Sequence, residues 1–346
     1  MVLLILALGL GVACGDDDDD DDDVTSSPSA GTTTAGESSG DTIRLGFSAW
    51  PGWFPWQVAE EAGIFDDVGI DVEMVWFEGY LDSINAFAAG QLDGNSQTLN
   101  DTLASISAGS DQVVVLVNDN STGNDQIIAT ADIQRIEDLA GKQIGVEVGV
   151  VDHFLLLLGL ESVGLSEDDV NIVNLETGAA AASFAAGQLD AVGVFAPFTT
   201  RALEREGAHA LFTSADFPGS IPDHLVLSRE LVESRPDDVQ KLVEAWFRTL
   251  EYIEENPDEA LEIMAERAGV SVEDYRSYEE GTTIFSAEQN LEAFAPGDDF
   301  TSLQFAAEEI ADFLVASGLA EERPETDGIF EPRFVEAYVE GNAGAE

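Results

Sequence analysis

Seven residues of this chain occur twice: Phe87-Ala-Ala-Gly-Gln-Leu-Asp93 returns letter for letter as Phe184-Ala-Ala-Gly-Gln-Leu-Asp190. Each copy follows a stretch of helical periodicity and precedes a strand-like one. Gly90 and Gly187 therefore fit the left-handed residue that ends a helix. A helix stop reused in equivalent surroundings predicts two lobes built on one plan. The surrounding pattern agrees. Ile43, Leu45 and Phe47 alternate, as do Ile70, Val72, Met74 and Trp76, which is strand periodicity. Val113 to Val117 is a continuous apolar run suited to a buried strand, and helical stretches lie at Leu81–Ala89 and Phe154–Val163. This rhythm predicts an α/β fold: two doubly wound lobes of mainly parallel sheet covered by helices. The last third reads as mainly helical. Pro236 and Pro257 bracket a segment with Val239, Leu242, Val243, Trp246, Phe247, Leu250 and Ile253 on one face, a core-packing helix.

With 346 residues, 45% of them hydrophobic, the chain can bury one large core or two linked ones. Its 69 acidic residues against 13 Lys and Arg give a net charge of −56. Nothing so negative is steered toward a phosphate backbone, so nucleic acid and anionic lipid are excluded as partners. Lys142 and Lys241 are the only lysines. A carboxylate-rich, Lys-poor surface stays hydrated at high ionic strength, where its self-repulsion is screened. A saline setting and simple acidic drift both fit.

Val2 to Ala13 is a nearly unbroken apolar run, shorter than the roughly 20 residues a membrane-spanning helix needs. Residues 1–13 therefore read as a signal peptide. Cys14 is the only cysteine, so no disulfide can form within the chain. The small residues Gly11, Val12 and Ala13 before it resemble a bacterial lipobox, which implies lipidation of Cys14. Two details depart from that pattern: Gly11 stands where Leu is usual, and no Lys or Arg precedes the run. A plain secretory signal with an incidental cysteine is the alternative. Residues 14–41 hold eight consecutive acids, Asp16 to Asp23, then Thr, Ser, Gly and Pro, a composition that predicts a disordered stalk. The expected location is outside the cell membrane, held to it by the lipid alone.

Seven motifs then form a recognisable set: Ser48–Trp56, Asn95–Asp101, Asn118–Asp125, Val151–Phe154, Asn174–Gly178, Val194–Phe198 and Ile221–His224. Together they resemble the nitrate/sulfonate/taurine class of ABC-importer substrate-binding proteins, from about Ile43 to Asn256. The resemblance implies the type II periplasmic-binding fold, in which two α/β lobes joined by crossover strands close over a ligand. Lobe one would span 42–129 plus 222–346, including the mainly helical C-terminal part, and lobe two 130–221. The crossovers would lie near Asp125–Ala131 and Pro222–Ser228. A monomer is implied, with a small solute, an ABC permease and its ATPase as partners, and with no cofactor or metal.

In open α/β sheets, ligands sit beyond the carboxyl ends of the strands, where all seven motifs fall. Relatives that bind sulfonate or nitrate resemble anion traps, built from hydroxyl side chains and free N–H groups at a helix N-terminus. This chain departs from them. Gly149 is followed by Val150, Val151 and then Asp152, and Phe195-Ala196-Pro197 stands where an aromatic-Asp-Pro turn is frequent. Asp125, Glu147, Asp152 and Glu176 fall near the cleft beside Trp50 and Trp53, and no Arg or Lys lies in the motifs. A Trp face over a cation contributes about 0.5–2 kcal/mol, and a carboxylate pairs in bidentate fashion with guanidinium. The expected ligand is a small nitrogenous cation, guanidinium first, an amine or amidine next; a branch of the class is associated with guanidine uptake.

The candidate ligand residues are Trp50, Trp53, Gln97 and Asp125 from lobe one, with Glu147, Asp152, Glu176 and Phe195 from lobe two. Several have plainer readings. The two Trp can be core plugs, Asp152 a helix cap, Glu147 a solvated strand residue and Asp125 an Asx turn. Asp101 reads as a helix cap and His153 as a packed helix-start residue. Sulfonate, taurine or nitrate binding is the alternative within the class. Outside it stand an iron-using enzyme resembling thiamine-pyrimidine synthase and a surface adhesin or sensor domain. No phosphate loop, His-Glu-x-x-His, Gly-x-Ser-x-Gly or Cys pair is present, and His153, His209 and His224 lack metal-ligand spacing.

Overall fold

The structure is a computed structural model and describes residues 42–342. The segments read as signal peptide, lipidated Cys14 and stalk lie outside them. Eleven strands are found among the described residues, in chain order β1 (Ile43–Phe47), β2 (Val72–Trp76), β3 (Gly94–Thr98), β4 (Gln112–Ser121), β5 (Asp125–Ala129), β6 (Gln143–Val146), β7 (Asn171–Asn174), β8 (Ala191–Phe195), β9 (His209–Thr213), β10 (Pro222–Ser228) and β11 (Thr282–Ile284). They form two sheets, ordered β11-β4-β10-β3-β1-β2 and β7-β6-β8-β5-β9. Each carries helices, so the architecture is two α/β lobes.

The sheets are mixed rather than mainly parallel. β1 runs parallel to β2 and β3, and β6 to β7 and β8. β10 and β5, each reached directly from the other sheet, insert antiparallel to both neighbours. A strand arriving straight from the opposite lobe has no crossover helix to reverse its direction, so it enters the sheet the other way round. The chain changes sheet between Ser121 and Asp125 and returns between Thr213 and Pro222. The two links lie side by side. The Ser121 and Ser214 hydroxyls are 2.7 Å apart, and Gly123 N donates to Ser214 Oγ at 2.8 Å.

The repeated heptapeptide does the same work in both lobes. Each copy ends a helix (Tyr80–Ala88 and Thr177–Ala185), with Gly90 and Gly187 at φ 71° and 80°. The Asp93 carboxylate accepts from Arg44 N at 2.8 Å, and Asp190 accepts from Gln143 N at 2.9 Å. Leu92 and Leu189 pack over Gly46 and Gly145, where a Cβ would approach the leucine Cδ1 to 2.5 Å in each lobe. The register also repeats, Leu45 opposite Gly94 and Ile144 opposite Ala191.

The C-terminal part packs helices on the first sheet. The helix Pro236–Glu255 starts on its proline, which gives up no needed hydrogen bond there. It buries Val239, Leu242, Val243, Trp246 and Phe247, while Leu250 and Ile253 are half-buried. Trp246 meets Trp56 with ring centroids 4.7 Å apart, tying this helix to Pro55–Glu61. Full burial of such side chains stabilises by about 1.5–3 kcal/mol each.

Candidate ligand-binding site

The loop between β1 and the helix Pro55–Glu61 folds back on itself, Trp53 N donating to Trp50 O at 3.0 Å. This turn aims both indoles between the lobes. Gly52 is required at its tip, because a Cβ there would lie 1.7 Å from Asp119 Oδ2. Trp50 Nε1 donates to the other oxygen, Asp119 Oδ1, at 3.0 Å.

Trp50, Trp53, Tyr80, Thr98 and Asp223 of the first lobe, Asp125 at the start of β5, and Val151 and Phe195 of the second line a small cavity with room for about one water molecule. Its walls are an aromatic box. Phe195 stands edge-on to Trp50 and to Tyr80, each at 6.3 Å, and Trp53 packs on Tyr80 at 5.2 Å. Phe195 thereby caps from lobe two a half-box supplied by lobe one.

Carboxylates supply the polarity. Asp101, Asp119, Asp125 and Asp223 are all buried, the most exposed at 2%. Asp119 Oδ2, Asp125 Oδ1, Asp223 Oδ2 and the Trp53 indole N–H have no hydrogen-bond partner. None of the ion pairs among the described residues reaches these four acids. Burial raises Asp101 and Asp125 to about 7 and pushes Asp119 and Asp223 well above the carboxylate range, Asp119 and Asp223 also repelling one another or their acidic neighbours. Among the described residues no group of three or more acids, His or Cys is placed to hold a metal ion.

At two helix N-termini of the second lobe the chain's own side chains take N–H groups. After β6, Glu147 N donates to Asp152 Oδ2 (3.0 Å), Val148 N to Asn174 Oδ1 (3.1 Å) and Gly149 N to His153 Nδ1 (3.3 Å). His153 N donates to Asp152 Oδ1 at 3.0 Å. At the next helix, Thr177 N meets Glu147 Oε2 (3.4 Å), while Gly178 N and Ala179 N both donate to Glu176 at 2.9 Å. The positive ends that would hold an anion are occupied by the chain's own acids.

Four of the eight expected residues, Trp50, Trp53, Asp125 and Phe195, line the cavity; Gln97, Glu147, Asp152 and Glu176 do not. Gln97 precedes the cavity-facing Thr98 on β3, so strand alternation sends its side chain to the other face. There it bonds Asn95, Thr102 and Gln112. Glu147 and Asp152 are buried but turned to local N–H groups, and burial raises both. Glu176 is exposed and caps its helix. Tyr80, Thr98, Asp119 and Asp223 were absent from the sequence expectation. Both acids sit inside the quoted motifs, at the polar ends of apolar strands β4 and β10, and that position is the signal for them. Asp101 is held by Thr98 Oγ1 at 2.7 Å, but the N-cap of its helix is Thr98.

Fold and cavity together define a two-lobed α/β protein with a cavity between its lobes. The chain belongs to the NMT1-like family, whose model matches residues 36–269. A binding protein of Brucella abortus is 27% identical over 229 residues, 64% of this chain and 70% of that one. The taurine-binding periplasmic protein of Escherichia coli is 26% identical over 248 residues, covering 68% and 76%. A thiamine biosynthesis protein of Haemophilus influenzae is 30% identical over 39% of this chain and 43% of its own. Among solved structures, the alkanesulfonate-binding protein of Xanthomonas axonopodis superposes with TM-score 0.71 at 19% identity, covering 84% of this chain and 98% of that one. A desulfurization enzyme shares the fold at TM-score 0.62 and 19% identity, covering 87% and 99%.

Proposed function

We propose that this protein is the extracytoplasmic receptor of an ABC-type importer and that it captures a small planar nitrogenous cation, guanidinium first. One observation supports the ligand above all. An aromatic cavity holds buried carboxylate oxygens that lack any partner, with no Lys or Arg paired to them, while Asp152 and Glu176 take N–H groups at the neighbouring helix ends. Three acids left so would be costly; a cation bonded to them offsets that cost.

Capture proceeds by closure. The first lobe offers Trp50, Trp53, Tyr80 and Asp223, and a cation resting there meets aromatic faces worth about 0.5–2 kcal/mol together with charge-assisted hydrogen bonds of about 1.5–3 kcal/mol each. Closing the second lobe brings Phe195 and Val151 over it and expels water. Ligand favours the closed form because it touches both lobes there. The closed form is what a permease would receive. The lipid anchor at Cys14 belongs to the same reading, as does binding without catalysis.

The names of the relatives favour a second reading, a sulfonate or taurine ligand. It would set an anion beside Asp152 and Glu176, whose carboxylates hold N–H groups at those helix ends. A thermal-shift panel of guanidinium, small amines, urea, taurine and nitrate separates the two. Stabilisation by guanidinium and not by its neutral counterpart urea is expected; stabilisation by taurine or nitrate alone sinks the cation reading.

A further inference from the structure

Guanidinium carries one charge, yet the cavity and its immediate wall hold four buried carboxyl groups. Two of them are opposed as directly as a sheet allows. Asp119 on β4 and Asp223 on β10 are registered partners in an antiparallel pair, and each keeps one oxygen without a hydrogen-bond partner. Like charges directly opposite on neighbouring strands destabilise a sheet. The Trp50 indole N–H reaches Asp119, and the Lys and Arg of the ion pairs among the described residues reach neither acid. This pair therefore has one way to avoid two adjacent buried charges, which is for one of the two to be protonated.

We infer that the cation enters the cavity in exchange for a proton carried by the Asp119–Asp223 pair, so that capture is coupled to proton release. This rests on the cation reading above and goes beyond it. The titratable groups facing the pair offer no other neutralisation. They are Asp125 at the start of β5, Asp101 on the helix Leu99–Ser107, Tyr80 on Tyr80–Ala88, and Tyr275 on Val272–Arg276. His224, next to Asp223, is pushed down to about 3 by burial and stays neutral. Burial holds both members of the pair above the carboxylate range, with repulsion from Asp125 adding at Asp119 and repulsion from Asp119 adding at Asp223. The released proton passes to solvent as the lobes close. A receptor of this kind binds its solute more tightly in alkaline than in acidic surroundings.

The test is calorimetry of guanidinium chloride against the full chain, in buffers of different ionisation enthalpy and across the neutral pH range. Guanidinium keeps its own charge throughout, so any proton exchanged belongs to the protein. The expected result is close to one proton released per guanidinium, with Kd falling about tenfold per pH unit while the pair is protonated. Asp223→Asn, or Asp119→Asn should the first not fold, is expected to abolish most of the release. Asp125→Asn is expected to weaken binding and keep it. Guanidinium binding with no proton released at any pH overturns the exchange and leaves the cation reading standing. Release that survives Asp223→Asn and Asp119→Asn but vanishes in Asp125→Asn overturns the assignment to the pair. No guanidinium binding at any pH overturns both readings together.

Discussion

Asp152 of the second lobe accepts a hydrogen bond from Glu147 N at 3.0 Å, so a carboxylate of this chain occupies the first turn of the helix that faces the cavity through Val151. The lobes meet through Phe195 against Trp50 and Tyr80. On the proposed reading, charge selection follows from that carboxylate. The positive helix end is spent on a fixed acid, and the unpartnered groups left in the cavity are mainly carboxylate oxygens.

Removing one of those oxygens' charges is expected to cost affinity directly. Asp125→Asn and Asp223→Asn should each weaken guanidinium more than tenfold, since a hydrogen bond to a charged group contributes about 1.5–3 kcal/mol. Titration calorimetry at fixed pH checks this, and unchanged affinity in both variants removes the carboxylates from the site.

Glu176 is expected to behave differently although it lies in the same motif set. Its carboxylate caps the helix Thr177–Ala185 from an exposed position. Glu176→Ala should lower stability by about 1 kcal/mol through the lost cap and leave guanidinium affinity within about twofold. Chemical denaturation and calorimetry on the same variant separate the two effects.

The buried acids also set a pH dependence for the ligand-free protein. Asp101 and Asp125 titrate near 7 in the fold against an ordinary 3.8, because burial disfavours their charged forms. The folded chain thus binds more protons than the unfolded chain between those values, and stability falls as pH rises through that window. A melting temperature that drops between about pH 4 and pH 7 is expected. Measuring it in high salt screens the general repulsion of a chain at −56 and leaves the buried contribution, which salt screens little. A melting temperature that rises over this window in high salt contradicts the burial of these acids.

The duplicated heptapeptide predicts matched losses. Leu92→Ala and Leu189→Ala empty the same pocket in each lobe, over Gly46 and Gly145. Each should destabilise by about 2–5 kcal/mol, read from denaturant unfolding of the two variants. A large loss at one position with none at the other would break the equivalence of the lobes.

Periodicity and the repeat were enough to read the two-lobed α/β plan from the sequence, because strand alternation, helix faces and glycine stops are local signals. The antiparallel insertion of β5 and β10 was not legible, since it depends on which sheet a strand joins. The site divides in the same manner. Trp50, Trp53, Asp125 and Phe195 stand at strand ends or in a turn beside one, where position along the chain already points to the cleft. Glu147, Asp152 and Glu176 stand there too, but N–H groups within a few residues, or on the adjoining helix, claim them first. Asp119 and Asp223 went unchosen because each matters through the other, 104 residues apart in the chain and registered partners in the sheet.

The most direct test of the account is a calorimetric titration of the full chain with guanidinium and, separately, with taurine. Saturable one-to-one binding of guanidinium and no heat from taurine is the predicted result. Saturable binding of taurine with none of guanidinium would contradict it.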